Sequence, residues 1–185
     1  MLPPSNSTNS RDTILDAAAA ILTKHGVSNV SIQATATAAG ITKAGLIYHF
    51  KTRDELLSAL LERMVTELDA QIGIPVSDQP QIVSPQAKIA ELVDFTFDMP
   101  ASQKQLLANM LVAATAHPHL LPQVQALFSR GYDALGRSPN PALFQLLSLA
   151  MDGLLLLELL QLHKFTPDQR AAMRETLLEL ARELP

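Results

Sequence analysis

In the stretch GITKAGLIYHFKTRD, residues 40–54, five groups able to do chemistry follow one another closely: Lys43, Tyr48, His49, Lys51 and Arg53. None is a nucleophile set beside a base. They are donors, and ammonium, guanidinium, phenol and imidazole groups bond well to phosphate oxygens and base edges. Gly40 suits a left-handed turn, Thr42 can cap a helix, and small residues at Ala44 and Gly45 permit close backbone approach. Such a surface suits an anionic partner better than it suits catalysis.

The rest of the chain offers little competing chemistry. There is no cysteine, which removes disulfides, thiolate zinc sites and a thiol nucleophile together. No Gly-rich phosphate loop, H-E-x-x-H or G-x-S-x-G occurs, so neither an enzyme nor a cofactor is expected. His117-Pro-His119 with His163 is the nearest approach to a metal set, but histidines flanking a proline at a helix end are ordinarily loop residues, and no metal is expected. The N-terminus lacks a basic region followed by an apolar stretch, so the expected location is cytoplasmic, with no membrane partner.

The net charge of −4 argues against non-specific coating of nucleic acid, yet it is unevenly distributed. Residues 1–65 carry +1 and the remainder −5, so an anion-binding surface belongs in the first third. Leu and Ala dominate, aromatics are 4%, and apolar residues recur at helical spacing, predicting an all-α protein.

Ile14, Ala18, Ile21, Leu22 and His25 form the stripe of a first helix from about Ser10 to Gly26. Ser31 caps a second, SIQATATAA, which Gly40 ends. Thr42 caps a third running to about His49, with Ile41, Leu46 and Phe50 turned inward. Thr52 and Glu55 make a T-x-x-E capping box that opens a longer fourth helix, about 53–72. Residues 73–85, with three prolines, read as a connection. Five further helices are predicted over about 85–98, 102–116, 121–136, 141–164 and 167–184, the last capped by Thr166 with Pro167 at its first position. The 141–164 segment approaches membrane-span length, but Asp152 and Glu158 inside it favour a helix buried in its own domain and against another chain.

Two short helices joined by a glycine turn form a helix-turn-helix, whose second helix can enter the DNA major groove. At Gly40, Ile41, Lys43, Gly45, Leu46, Tyr48, His49, Phe50, Arg53, Glu55 and Leu56, the sequence resembles the signature of the TetR/AcrR family of transcriptional repressors. Ile14, Ala17, Ala18, Gly26 and Ser31 agree with it, so the likeness spans residues 11–63. Thr35 departs from the family's branched apolar residue, Arg53 replaces a commoner lysine, and Ile47 stands where threonine is frequent.

The resemblance implies an N-terminal three-helix DNA-binding domain at residues 10–52, behind a disordered lead-in at 1–9. It also implies a C-terminal helical domain for ligand binding and dimerisation at 53–185, with helix four as the connection. The DNA-binding candidates are Ser31, Gln33, Thr42, Lys43, Ala44, Tyr48, His49, Lys51 and Arg53, with Thr37 as a possible groove neighbour. A ligand pocket would draw on Leu61, Met64, Phe95, Phe97, Met99, Met110, Phe128, Tyr132, Phe144 and Met151, with Asn109, Thr115, His117 and Asp152 as polar groups. Asp152 interrupts an apolar run and so needs a cationic ligand, a partner group or water. Implied partners are an operator in double-stranded DNA, a small-molecule inducer and a second copy through the last two helices, where Met173, Leu177, Leu180 and Ala181 form an apolar stripe. The alternative is a helical ligand-binding or adaptor protein that does not read DNA, against which the cations at 43, 51 and 53 argue.

Overall fold

The structure, a computed structural model, describes residues 7–72, 85–137 and 139–183. Among them there are helices and no strand: α1 (Ser7–His25), α2 (Ile32–Ala38), α3 (Lys43–His49), α4 (Arg53–Ile72), α5 (Pro85–Asp98), α6 (Ala101–Ala116), α7 (Leu121–Leu135), α8 (Pro141–Leu159) and α9 (Pro167–Arg182). Two short 3₁₀ turns, Val27–Asn29 and Pro118–Leu120, were not anticipated from the sequence. Most of the connection expected at 73–85, and residues 1–6 of the expected lead-in, lie outside the described residues. Helix α1 starts three residues before Ser10, because Ser7–Asn9 hold nothing that breaks a helix already nucleated downstream.

The chain divides into two compact units, Met1–Val65 with Gln105–Gln123, and Thr66–Lys104 with Val124–Pro185. In the first, α2 packs on both α1 and α3. Ile14, Leu15, Ala18 and Leu22 of α1 are fully buried, as are Val30, Ala36, Leu46, Leu56, Leu57 and Leu60, whereas Ile21 is half-buried and His25 exposed. Asn109 of α6 donates its amide to the Leu22 and Thr23 carbonyls at 2.7 and 3.3 Å in the last turn of α1, where the Leu22 carbonyl also accepts from Gly26 N–H at 2.9 Å. Among the described residues the buried Thr35 hydroxyl has no hydrogen-bond partner, a cost that a branched apolar side chain would not incur.

In the second unit α5 packs against α8 and α9. Ile89 and Val93 of α5, Phe144, Leu147 and Met151 of α8, and Leu177 and Ala181 of α9 form its core. Arg174 of α9 reinforces the packing by pairing with Asp94 and Asp98 of α5 at 2.6 and 2.9 Å. Asp152, half-buried on α8, accepts a hydrogen bond from the Tyr132 hydroxyl of α7 at 2.7 Å. Burial lifts the Asp152 carboxyl above its ordinary range, and the Tyr132 bond only partly offsets this. Burial first, and the carboxylate second, raise the Tyr132 phenol in turn.

One predicted boundary moves. Helix α8 stops at Leu159 instead of continuing to Lys164, because Gln161 takes φ 55° and turns the chain. Gln161 N–H then bonds the Glu158 carbonyl at 3.1 Å and Leu162 N–H the Leu157 carbonyl at 2.9 Å, closing the helix in a Schellman motif. Helix α9 opens with Thr166 accepting from Gln169 N–H at 3.2 Å while Gln169 accepts from Thr166 N–H at 2.9 Å.

Two measurements check this packing. Thr35→Val should stabilise the protein by about 1 kcal/mol in denaturant unfolding, since it removes an unpartnered buried hydroxyl at nearly constant shape; a loss of stability would mean the hydroxyl has a partner. Because the folded state holds the Asp152 proton more tightly than the unfolded chain, the native contribution of this group declines as pH rises from its ordinary 3.8 through the raised value. Asp152→Asn should therefore gain stability relative to the parent over that interval and keep the gain at neutral pH. A difference that does not change with pH would contradict the burial of the charge.

Candidate nucleic-acid interface

Helix α2 begins where Ser31 accepts a hydrogen bond from Ala34 N–H at 3.1 Å. It ends in a Schellman motif, with Gly40 N–H on the Thr37 carbonyl at 3.2 Å and Ile41 N–H on the Ala36 carbonyl at 3.0 Å. Gly40 has φ 68°, a conformation that costs an L side chain about 1–2 kcal/mol. Thr42 then caps α3, its hydroxyl accepting from Gly45 N–H at 3.0 Å. A Cβ at Gly45 would lie 3.3 Å from that same hydroxyl, so glycine leaves the cap its room.

The two sides of α3 differ as its sequence predicts. Leu46 is fully buried and Phe50 nearly so, with Ile41 half-buried. Thr42, Lys43, Ala44 and Ile47 are exposed, and Tyr48 is 84% exposed, an unusual cost for a large ring in a free monomer. His49 is half-buried, with its ring edge-to-face against Tyr48 at 5.3 Å. Gln33 and Thr37 are exposed on α2, where the Thr37 hydroxyl donates to the Gln33 carbonyl at 3.0 Å and receives the Gln33 amide at 3.4 Å. Ser31 is half-buried and engaged in its cap. Lys51 is exposed beyond α3, and its backbone N–H donates to the Glu55 carboxylate at 2.7 Å. Glu55 thus reaches one residue past Thr52, whose hydroxyl accepts from Glu55 N–H at 3.1 Å.

Arg53 is placed differently from the other cations. Its Nε donates to the Val30 carbonyl at 2.7 Å and its Nη2 to the Val27 carbonyl at 2.8 Å. The guanidinium fork ties the start of α4 to the segment that leads into α2, a geometry one ammonium cannot reproduce. Arg11, which the sequence gave no reason to single out, lies with its guanidinium 5.3 Å over the Phe50 ring at the end of α3.

The ligand-pocket candidates are divided between the two units. Leu61, Met64 and Met110 are buried in the first unit, where Asn109 is committed to α1 carbonyls, Thr115 is exposed and bonded to its own helix, and His117 meets the His119 ring at 5.9 Å. In the second unit Phe144 and Met151 are core, Phe97 packs against that core, Met99 is buried, Phe95 is half-buried and Phe128 is 40% exposed. Tyr132 and Asp152 are the polar candidates brought into contact with each other. No group of three or more His, Cys, Asp or Glu side chains among the described residues is arranged to hold a metal.

Arg53→Met should lower unfolding stability without any DNA present, by about 1–3 kcal/mol, because it takes the side-chain donor from the Val30 carbonyl and leaves the Val27 carbonyl with the Val30 N–H alone. Arg53→Lys should restore only part of that. Unchanged unfolding in both variants would remove the fork as a structural tie.

A family model described as tetracyclin repressor-like, C-terminal domain, matches residues 87–182, and one for bacterial regulatory proteins of the tetR family matches residues 14–60. No curated protein matches the chain in sequence. Among solved structures, a transcriptional regulator from Streptomyces coelicolor A3(2) superposes with TM-score 0.72 at 20% identity, covering 94% of this chain and 98% of that one. A TetR-family member from Streptomyces coelicolor A3 gives 0.70 at 27% identity, with 95% and 98% covered. The multidrug binding protein EbrR, complexed with ethidium, gives 0.69 at 23% identity, with 95% and 99% covered. The first family model alone spans more than half of the chain, the second falls on the helix-turn-helix, and their helices occur in the expected order. The chain belongs to the TetR family of DNA-binding transcriptional regulators.

Proposed function

We propose that the protein is a repressor that binds a palindromic operator as a homodimer in the cytoplasm and is released by a small-molecule inducer. The observation that carries this reading is the outer side of α3, where Thr42, Lys43, Ala44 and Tyr48 are exposed on a helix capped and held by its glycine turn. In the proposed complex Lys43 reaches base edges from the helix start. Tyr48, His49 and Lys51 meet the phosphate backbone, Ser31 and Gln33 approach from α2, and Thr42 and Ala44 lie at the groove. Arg53 acts chiefly by holding α4 to the entry of α2, and its remaining charge adds to the field at the backbone. Residues 10–52 form the DNA-reading part and 53–185 the part that receives the inducer and the second copy.

Helix α8 supports the homodimer. Leu146, Leu149, Gly153, Leu156, Leu157 and Leu160 fall within an arc of about 100° on its surface, opposite the face that carries Phe144, Leu147, Met151 and Leu154. Leu146 is 63% exposed and Leu149 59%, while a Cβ added at Gly153 would meet nothing within 4 Å. By length and composition α8 alone among the described helices is apolar enough to cross a membrane. Its Asp152 and Glu158, however, are partnered by Tyr132, Lys104 and Arg170, as in a helix packed among others. A second copy covers the remaining leucine face at no cost in buried charge.

An inducer releases DNA only if it binds the DNA-incompetent arrangement more tightly, with a coupling of about 1–3 kcal/mol. The apolar interior of the second unit, with the Tyr132–Asp152 pair as its polar group, is the proposed receiving region.

Fluorescence anisotropy against duplexes tiled over DNA flanking its own gene, at two salt concentrations, identifies the operator. On that duplex Lys43→Ala should lose about 1–3 kcal/mol. Lys51→Ala should lose affinity for every duplex and reduce the salt slope by roughly 1. Binding unaltered by both changes would leave the adaptor reading in place. Leu149→Glu should shift sedimentation from dimer toward monomer; a parent protein that is monomeric at micromolar concentration would overturn the dimer.

A further inference from the structure

The turn between α8 and α9 borders a cavity of about 660 Å³ within the second unit. Its wall brings together Lys104 from α6, Glu158 from α8 and Arg170 from α9, with Gln161, His163 and Lys164 from the connecting segment. Glu158 is the one carboxylate of that wall, and both Lys104, at 2.7 Å, and Arg170 bond to it. Arg170 also donates to the Phe97 carbonyl at 2.9 Å and stacks over the Phe97 ring. Lys164 is exposed at the same cavity, so three cations face a single acid and the wall carries excess positive charge. Burial first, and the nearby Arg170 charge second, hold the Lys104 ammonium below its ordinary range.

The backbone adds a second observation. Gln161 is the one non-glycine at positive φ among the described residues. It occupies the place in the α8 cap that Gly40 occupies in the α2 cap, where glycine would avoid the strain that an L side chain meets in the left-handed region. Strain of this kind clusters at active sites and ligand clamps, and Gln161 lines the cavity. The volume is that of a pocket for a drug-sized molecule and much exceeds an inorganic ion. Half-buried Phe165, its ring 4.4 Å from that of His163, supplies an apolar wall.

We propose that this cavity binds a small organic anion, its carboxylate or phosphate held by Lys104, Lys164 and Arg170 with the Gln161 amide, and its apolar body set against Phe165. Glu158 orients the two deeper cations and leaves part of their charge for the ligand. The site stands within the second unit and is independent of the DNA-binding reading.

Calorimetric titration of the full-length protein tests it with benzoate, phenyl phosphate, inorganic phosphate and benzylamine. Both organic anions should saturate one site per chain, inorganic phosphate should bind more weakly than phenyl phosphate, and benzylamine should not bind there. The tighter of the two organic anions identifies the preferred oxyanion. Lys164→Ala should weaken binding by about three- to tenfold, the loss of one charge-assisted contact. Gln161→Gly should make the protein more resistant to unfolding yet weaken anion binding, a combination that a purely structural glutamine would not give. No saturable anion binding, equal binding of benzylamine, or unchanged affinity in both variants would overturn the proposal.

Discussion

The helix-turn-helix depends on one backbone constraint: after Ala39 the chain must pass through φ 68° at Gly40. That conformation lets Ile41 N–H return to the Ala36 carbonyl, ends α2, and leaves only Ile41 and Thr42 before α3 starts. Because the turn is so short, Leu46 and Phe50 are buried while Thr42, Lys43, Ala44 and Tyr48 remain outside. The Arg53 fork on the Val27 and Val30 carbonyls fixes the other side of the same arrangement. The presented surface is therefore set by hydrogen-bonded backbone, which suits a helix that must arrive at a groove in one orientation.

The second unit meets a different requirement, because α8 is apolar on two sides and has to place carboxylates inside an otherwise leucine-rich helix. Asp152 is held by one hydroxyl, and Glu158 by an ammonium and a guanidinium. The inward face joins α5 and α9 in the core, and the outward leucines are exposed. The two Schellman caps show contrasting solutions to one problem. Glycine relieves the strain at the end of α2, and glutamine retains it beside a cationic cavity at the end of α8.

Features governed by near neighbours were legible in the sequence. Gly26, Gly40, Thr42 and Thr166 act through residues a few positions away, and the helices they bound lie where their spacing placed them. The end of α8 was not legible, because LLQLHKF contains neither glycine nor proline and reads as further helix. Long-range roles were also hidden. Arg53 looks like any phosphate-facing arginine, yet the carbonyls it bonds lie 23 and 26 positions earlier. Asn109 resembles a pocket polar group, yet it serves acceptors 86 and 87 positions away. The cationic cavity carried no motif, since Lys104 and Glu158 are 54 positions apart and only tertiary packing brings them together.

The central claim is that the exposed side of α3 enters the major groove of a two-fold operator. Dimethyl sulfate protection tests it most directly, because the reagent reads guanine N7 in the major groove and adenine N3 in the minor groove. On the tightest-binding duplex, the account predicts guanine N7 protection in two symmetric half-sites on one face of the DNA, their centres separated by a whole number of helical turns of about 10 base pairs. Protection confined to the minor groove, or none at saturating protein, would contradict it.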